Sequence, residues 1–291
     1  MTNISAYISF PNRGHIKSHK NNSTIECGSF KRVGMKKLLF FCFSAGLLLP
    51  AGWQAHSADI VSYKIFYNSS AWDNNDANIN SFDDAAIATD KTALLPGQTS
   101  AFVNFTSYDL GINGIMIDFS GLADTPSLSD FTFIVGNSSD VDSWVAAPTP
   151  SDLTVRSGAG AGGSDRVTIT WNDDAIEDQW LQVTALTTLG LAKPIVFYFG
   201  NLVGDVTGDG QVTPIDYLII INALNDEGSS YSTDINDPLD INRDGWVSPL
   251  DSLLISNILN SSGSTSLVMF TAPETHTPFP VPALMLLLSS E

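Results

Sequence analysis

The sequence Asp205-Val-Thr-Gly-Asp-Gly-Gln-Val-Thr-Pro-Ile-Asp216 recurs 35 residues later as Asp240-Ile-Asn-Arg-Asp-Gly-Trp-Val-Ser-Pro-Leu-Asp251. Each copy places oxygen-bearing side chains at positions 1, 3, 5, 9 and 12 and a glycine at position 6. Calcium binds about six to eight oxygen ligands, and the glycine permits the sharp turn that such a loop needs. Either copy alone could be an ordinary turn before a capped helix. Two copies in register predict two calcium-binding loops.

The residues that follow each loop are duplicated as well. Pro214–Asn225 aligns with Pro249–Asn260, and seven of these twelve positions are identical. Thr213 and Ser248 precede the two prolines and are suited to N-capping, with an aspartate three residues after each cap. Each loop is therefore predicted to be followed by a helix.

Each predicted helix carries a stripe of apolar residues for packing and ends at a candidate left-handed C-cap, Asn225 or Asn260. The residues before Asp205 are typical of a strand, and those before Asp240 are polar. Neither loop has a preceding helix, whereas an ordinary EF-hand has helices on both sides of its loop. The stripe residues are Leu218, Ile221, Leu224, Leu250, Leu254 and Ile258.

Two calcium loops that are each followed, but not preceded, by a helix resemble a type I dockerin module over about Gly204–Asn260. The resemblance implies a module that folds around two calcium ions and docks its paired helices onto a cohesin domain. Backbone carbonyl groups would act at position 7, and Thr213 and Ser248 would act through water. The implied ligands are Asp205, Thr207, Asp209, Gln211 and Asp216 in loop one and Asp240, Asn242, Asp244, Trp246 and Asp251 in loop two.

The chain departs from the dockerin pattern at two places. Thr207 stands at position 3, where Asn or Asp is usual, so loop one is expected to bind calcium more weakly than loop two. Apolar residues follow the two prolines where cohesin-binding dockerins carry small hydroxyl residues, so the resemblance leaves the particular partner open. The expected partner-binding residues are Pro214, Ile215, Tyr217, Pro249, Leu250 and Ser252.

Residues 1–58 are predicted to be a leader region, with Met35 as an alternative start. Basic residues from Lys31 to Lys37 precede the apolar run Leu38–Leu49, and Ala55–Ala58 offers small residues for cleavage. The apolar run is too short to cross a bilayer, so the mature chain is expected to have no stable membrane span and to be secreted or held at the cell surface. Both cysteines lie within this region, so no disulfide is expected in the mature chain.

The net negative charge of the chain makes polyanions poor partners. The full sequence has 13 Lys+Arg against 31 Asp+Glu, a formal net charge of −18. Removal of residues 1–58 takes away seven basic residues and one acidic residue, which leaves six against 30 and a charge of −24. Nucleic acid and anionic membranes are therefore expected to be poor partners. Residues 201–260 contain ten acids and only Arg243, so folding there should depend on bound calcium.

Residues 59–203 are predicted to form one β-sandwich domain, with a jelly roll as the alternative. Short runs that alternate apolar and polar residues are separated by turns rich in Gly, Asn, Asp and Ser. The whole chain is therefore assigned to the mainly β class, with a small helical calcium domain at 204–260. The predicted strands are Ser62–Tyr67, Ser100–Phe105, Gly114–Phe119, Phe131–Val135, Leu153–Arg156, Arg166–Trp171, Trp180–Leu186 and Ile195–Phe199.

Histidine is absent from 59–203, which excludes catalytic sites built on histidine in the predicted sandwich. Carboxylates remain as candidates for a glycosidase pair, although solvated surface is the default for them, as it is for the polar run Asp73–Asn80. A turn calcium at Asp118 is an alternative to catalysis there. Exposed tryptophans could instead stack on sugars, or fill the core as most tryptophans do. The candidates are Asp83, Asp84, Asp118, Asp173, Asp174, Glu177 and Asp178 for catalysis and Trp72, Trp144 and Trp180 for sugar binding.

Residues 261–291 are predicted to form a flexible Ser/Thr/Pro-rich tail, in which Ala283–Leu288 resembles a fragment of a C-terminal sorting anchor. The favoured function is calcium-dependent attachment to a cohesin-type protein, linked through the resemblance to extracellular polysaccharide degradation. One alternative is a carbohydrate-active enzyme, a glycoside hydrolase or lyase, with an appended dockerin. The other is a structural or adhesion protein of the cell surface. Polysaccharide is a further candidate partner.

Overall fold

The computed structural model describes residues 57–274. The predicted leader, except for its last two residues, lies outside the described residues, as do the alternative start at Met35 and the anchor-like run Ala283–Leu288. Within residues 57–274, no helix is long and apolar enough to cross a membrane.

Two β-sheets face each other across a common core. The first sheet has the order β1-β3-β7-β6 and is antiparallel throughout. The second has the order β2-β9-β8-β4-β5 and is antiparallel except between β2 and β9. In chain order the strands are β1 (Asp59–Ile65), β2 (Phe105–Thr106), β3 (Gly114–Ser120), β4 (Phe131–Gly136), β5 (Val145–Ala146), β6 (Asp152–Arg156), β7 (Asp165–Thr170), β8 (Trp180–Ala185) and β9 (Ile195–Asn201).

Alternate residues of the strands fill the space between the sheets. In the first sheet, Ile117 of β3 pairs across the ladder with Val167 of β7, and both are fully buried. In the second, Val183 of β8 pairs with Phe197 of β9, and both belong to the same apolar cluster as the first pair. In a β-strand, every second side chain lies on the same face of the sheet, which explains why runs that alternate apolar and polar residues identify these strands. The chain is mainly β, with the β-sandwich that the sequence predicts.

The outer face of the first sheet is covered rather than solvated. Met116 points away from the central core and is buried beneath Phe66 and Ala86, with Trp72 packed beside them. The covering segment contains two short 3-10 helices, at Ala71–Asp73 and Phe82–Ala86. Some polar residues of this segment, Asp73 and Asp83 among them, are therefore buried, whereas Asn74, Asn75 and Asn78 are exposed.

The outer face of the second sheet is covered by the C-terminal part of the described chain. Phe270 lies against Trp144, Trp180 and Tyr198, at ring-centre distances of 5.5, 5.2 and 5.6 Å. The predicted flexible tail begins at Ser261, but up to Glu274 it packs on the sandwich. The physical reason is its apolar residues: Leu267, Phe270 and Ala272 are all buried, and they outweigh the Ser/Thr-rich composition that suggested a tail.

Seven of the eight predicted strands coincide for most of their length with strands of the two sheets. The exception is Ser100–Phe105, half of which is a 3-10 helix at Phe102–Asn104 and of which only Phe105 belongs to β2. The Asn104 side chain accepts from the Ala101 N–H at 2.9 Å and donates to the Thr92 carbonyl at 3.0 Å. These local bonds compete with a ladder and hold the turn.

Both predicted helices are present, and both run past their predicted ends. Helix α1 is Pro214–Glu227 and α2 is Pro249–Ser261, so Asn225 and Asn260 are helical residues and not C-caps. The packed stripes also differ from those predicted, because Leu218 faces solvent and Leu254 and Ile258 are only partly buried. The buried apolar residues are Ile220, Leu224 and Ile255. They belong to the apolar cluster that the two helices share with the sandwich, and this contact determines which face of each helix is buried.

Four short strands complete the structure: β10 (Gln211–Val212), β11 (Tyr231–Ser232), β12 (Trp246–Val247) and β13 (Thr265–Ser266). Strand β10 pairs with β13, and β11 pairs with β12. The strand within each predicted calcium loop therefore pairs with a segment outside the loops. For loop one, that segment belongs to the predicted tail.

Candidate calcium loops and docking surface

Loop one is organised around the first and last of its acids, Asp205 and Asp216, which are both fully buried. Asp205 Oδ1 accepts from the Gly208 N–H at 2.8 Å, and its Oδ2 accepts from the Gly210 N–H at 2.7 Å. Asp216 Oδ2 accepts from the Thr213 N–H at 2.9 Å, which closes the capping box of α1. The backbone thereby holds both carboxylates in fixed positions within the loop.

Loop two repeats this arrangement. Asp240 Oδ1 accepts from the Asp244 N–H at 3.1 Å and its Oδ2 from the Gly245 N–H at 2.9 Å. Asp251 Oδ2 accepts from the Ser248 N–H at 2.8 Å, and its Oδ1 accepts from the Ile241 N–H, also at 2.8 Å. Asp240 and Asp251 are fully buried, as their counterparts in loop one are.

The turn glycines have the conformation that the loop pattern requires. Gly210 has φ +81° and Gly245 has φ +86°, in the left-handed region that favours glycine. The acids at position 5, Asp209 and Asp244, are exposed. Asp209 Oδ1 accepts from the Gln211 N–H and Asp244 Oδ1 from the Trp246 N–H, both at 2.9 Å. Each loop thus has two buried acids and a third acid at its rim.

The buried acids are short of compensating positive charge. Burial raises the pKa of Asp240 to about 7, although Arg243 lowers it, and burial also raises the pKa of Asp205 and of Asp251. Desolvated carboxylates with raised pKa values are stabilised in their ionised form by a bound cation. The loops therefore fit the cation that their sequence implies.

The donor set favours calcium over a metal bound by nitrogen or sulfur. Among residues 57–274, no group of three or more His, Cys, Asp or Glu side chains is placed to hold a metal ion by itself. That finding is compatible with a calcium loop, because such a loop also uses hydroxyl, amide, backbone carbonyl and water oxygens. Loop one offers Thr207 and the Gln211 carbonyl for this purpose, and loop two offers Asn242 and the Trp246 carbonyl.

The two loops differ at position 3. The Thr207 hydroxyl lies 3.0 Å from Asp205 Oδ1 and 3.0 Å from Asp216 Oδ1, so it connects the two buried acids of loop one. In loop two, Asn242 instead donates to the rim acid Asp244, Nδ2 to Oδ2, at 3.1 Å. The expectation that loop one binds calcium more weakly remains a prediction.

The candidate docking surface is exposed at four of its six predicted residues. Ile215 is 60% exposed and Leu250 is 47% exposed, and the adjacent prolines, Pro214 and Pro249, are exposed too. Tyr217 is partly buried against the apolar cluster. The assignment of Ser252 to this surface is wrong, because Ser252 is only 5% exposed and its hydroxyl donates to the Pro249 carbonyl at 2.8 Å.

Three exposed apolar residues near this surface were missed by the sequence analysis: Leu218, Leu253 and Trp246. Leu218 and Leu253 are 35 residues apart, the offset that also relates Ile215 to Leu250. The duplication therefore gives two equivalent pairs of exposed apolar side chains, Ile215 with Leu218 and Leu250 with Leu253. The offset was the signal that could have found them.

Two of the candidate catalytic acids, Asp84 and Asp118, are held by arginine side chains. Asp118 is fully buried and receives bonds from Arg166 Nε at 2.7 Å and Nη2 at 2.9 Å. Asp84 pairs with Arg156 and Arg166. Asp173 accepts from the Asn113 amide at 2.8 Å. Ion pairing of this kind holds the carboxylates of Asp84 and Asp118 in structural roles.

The tryptophans proposed for sugar stacking are in the wrong place for it. Trp144 and Trp180 are buried under the C-terminal segment, and their indole N–H groups donate to the carbonyls of Ser138 and Val268. Trp72 is partly buried on the outer face of the first sheet. The alternative that these rings fill the core is correct for Trp144 and Trp180.

Comparison with known proteins gives one match. The dockerin type I domain matches residues 203–260, the segment that contains both loops and both helices. No curated protein matches the chain, and no solved structure matches it. The matched segment begins directly after β9 and the β-sandwich.

Proposed function

With a type I dockerin module following a β-rich domain as the premise, we propose that this protein attaches to a cohesin-type partner through that module in a calcium-dependent way. Dockerin domains of this type bind calcium and cohesins, which supports attachment in general. The observation that carries the proposal for this chain is the pair of exposed apolar patches, Ile215 with Leu218 and Leu250 with Leu253, set on the two helices that the loops hold.

Calcium acts in this proposal by neutralising the loops. Each loop contains two fully buried aspartates, and residues 201–260 have ten acids against Arg243 alone. One ion in each loop, two in all, offsets this repulsion and fixes the first turn of the helix that follows, since Asp216 and Asp251 belong both to the loop and to the capping box. The apolar patches are then presented in a fixed orientation.

The proposed ligands are those implied by position in the loops. Asp205 and Asp216 in loop one, and Asp240 and Asp251 in loop two, are held by backbone N–H groups. The rim acids Asp209 and Asp244, the side chains of Thr207 and Asn242 and the carbonyls of Gln211 and Trp246 complete the sets. Oxygen is the donor atom throughout, as calcium prefers.

We further propose that the attachment takes place outside the cell and serves polysaccharide degradation, with the sandwich as the attached, non-enzymatic cargo. Dockerin proteins are typically extracellular or bound to the cell surface. Support for a non-enzymatic sandwich comes from the ion pairs that occupy Asp84 and Asp118. Activity of the purified chain on a polysaccharide panel would favour the enzyme alternative.

The test is capture of a panel of cohesin domains, and of the secretome of the source organism, by the full chain in calcium and in chelator. The informative variant is Ile215→Asp with Leu250→Asp, and the matched control is Val145→Asp, which changes an exposed valine of the sandwich. We expect calcium-dependent capture that the double variant loses and the control retains. Capture that survives chelation, or that the double variant retains in full, would contradict the proposal.

A further inference from the structure

The segment from Ser69 to Asp84 contains the predicted solvated run Asp73–Asn80, in which Asn74, Asn75 and Asn78 are exposed as expected, but the segment is not solvated throughout. Its sequence is rich in Asn and Asp, yet Asp73 and Asp83 are both 0% exposed. The segment crosses the outer face of the first sheet, where Phe66, Ala86 and Met116 form an apolar cluster. Burial of two carboxylates beside such a cluster is costly unless something compensates their charge.

One oxygen of this pair has no partner. Asp73 accepts from the N–H groups of Ser69 at 2.7 Å and Asp76 at 3.3 Å. Asp83 Oδ2 accepts from the Asn80 N–H at 2.9 Å. Asp83 Oδ1 is buried and has no hydrogen-bond partner among residues 57–274. A buried carboxylate oxygen without a partner points to a bound group that supplies the missing interaction.

Neither carboxylate is neutralised by a basic side chain. Within the described part of the chain, no Lys, Arg or His nitrogen forms an ion pair with Asp73 or Asp83 within 4.0 Å. The positive charge of Arg156 acts on Asp83, but Arg156 forms its ion pair with Asp84, at 2.5 Å. Burial and the charge of Asp73 raise the pKa of Asp83 to about 6, although the Asn80 N–H and Arg156 lower it. The unpartnered oxygen therefore lies in the field of the other buried carboxylate.

The calcium loops provide an internal comparison. Asp73 and Asp83 are ten residues apart, and Asp205 and Asp216 are eleven apart. In each case the second aspartate lies in the first turn of a helix and accepts from the N–H three residues before it. Asp216 Oδ1 also has partners within its loop, whereas Asp83 Oδ1 has none.

We propose that Asp73 and Asp83 bind a divalent cation of the calcium type, at a third site that lies in the β-sandwich and outside the dockerin module. The nearby polar groups offer oxygen atoms, from carboxylates, asparagine amides and the backbone, and the segment contains no Cys or His. Oxygen donors of this kind suit a hard cation with flexible coordination, which favours calcium over zinc.

The site would also support loop two of the dockerin module. The Ala71 N–H donates to the Arg243 carbonyl at 3.0 Å, and Arg243 is position 4 of that loop. Ala71 opens the short helix that ends at Asp73. A cation held by Asp73 and Asp83 therefore fixes the backbone against which loop two packs.

The experiment is a count of bound calcium by equilibrium dialysis and elemental analysis on the full mature chain. We expect about three ions per chain at saturating calcium. Asp83→Asn, which keeps the shape of the side chain, should lower the count by one. The matched control Asp124→Asn changes an exposed acid of the same domain and should leave the count unchanged.

A variant in which the dockerin loops are disabled separates the new site from those loops. Asp209→Ala with Asp244→Ala should remove ions from the loops and retain the sandwich ion, and adding Asp83→Asn should remove that ion too. In that loop variant, terbium in place of calcium gives an independent signal, because Trp72 adjoins Asp73 and can sensitise its emission, whereas in the wild type Trp246 of loop two would sensitise terbium as well. Circular dichroism checks the fold of each variant, and Asp73→Asn replaces Asp83→Asn if the latter does not fold.

Three outcomes would overturn the proposal: equal counts for the wild type and Asp83→Asn, no ion left in the dockerin-loop variant, or terbium emission unchanged by Asp83→Asn. Such results would mean that a water molecule, and not a cation, satisfies Asp83 Oδ1. The dockerin assignment would be unaffected, because its own test is the loss of ions in Asp209→Ala with Asp244→Ala.

Discussion

The guanidinium carbon of Arg243 lies 4.5 Å from the centre of the Tyr67 ring, and Arg243 Nη2 donates to the Tyr67 hydroxyl at 3.3 Å. Arg243 comes from calcium loop two, and Tyr67 follows β1 of the sandwich. Arg243 is 1% exposed and also donates to the Asp237 carbonyl. A buried cation on an aromatic face joins the two parts of the chain, so the calcium loop and the sandwich are expected to gain and lose stability together.

Replacement of this arginine tests that connection. Arg243→Met keeps most of the side-chain length but leaves the Tyr67 hydroxyl and the Asp237 carbonyl without their donor. We expect a loss of about 2–4 kcal/mol in the free energy of unfolding, measured in urea with calcium present. Lys193→Met, at an exposed position, is the control and should change stability by less than about 0.5 kcal/mol. Equal effects of the two variants would contradict the role assigned to Arg243.

Calcium should stabilise the chain by linkage. At a calcium concentration about a hundred times the dissociation constant, each site adds about 2.7 kcal/mol. We therefore expect the thermal midpoint to rise with calcium and to fall in chelator. Asp209→Ala with Asp244→Ala should remove the part of this rise that the dockerin loops contribute, measured by calorimetry.

The control for that pair is Asp124→Ala with Asp226→Ala, which removes two exposed acids outside the loops. It lowers the net negative charge by the same amount without touching a proposed ligand. A calcium response that both double variants retain in full would show that the stabilisation comes from general charge screening.

The C-terminal segment should be part of the folded unit. Phe270 is 5% exposed, and its N–H donates to the Ser100 hydroxyl at 2.8 Å. Phe270→Ala leaves a cavity against the rings of Trp144 and Trp180 and should cost about 3–5 kcal/mol of stability, with a change in tryptophan fluorescence. Met269→Ala is the adjacent control, since Met269 is exposed. A flexible tail would instead make the two variants alike.

Two partly buried acids of the sandwich should make stability depend on pH. Burial, together with the Asp174 charge, raises the pKa of Glu177 and that of Asp109 to about 7. Because these pKa values are higher in the folded than in the unfolded state, the protonated groups favour folding at about pH 4, and this contribution is lost as the pH rises through about 7.

Glu177→Gln and Asp109→Asn should therefore unfold at higher temperature than the wild type at pH 8 and at nearly the same temperature at pH 4. The measurement is thermal unfolding in saturating calcium, which keeps the loop acids ionised at both pH values. Asp124→Asn serves as the control. A variant that is less stable than the wild type at pH 8 would mean that the ionised acid has a stabilising partner.

The local sequence was sufficient wherever neighbouring residues make the structure. The capping boxes at Thr213 and Ser248 and the glycines at position 6 of each loop follow from interactions within a few residues, and seven of the eight strands were identified by local alternation of apolar and polar residues. The helix ends were wrong because a C-cap depends on where tertiary packing stops. The predicted buried face of each helix was wrong for the same reason, since Ile220 and Ile255 are buried by contacts with residues outside their own helix.

By itself, the sequence determined the duplicated loop-helix units, the alternating strands and the net negative charge, because these depend on residue type and short spacing. Only the tertiary structure decided that Phe270 and its neighbours cover a sheet, that Trp180 is buried, and that Asp83 has an oxygen without a partner. Each of these depends on a contact between residues far apart in the chain, and spacing along one segment carries no information about what the fold places against it.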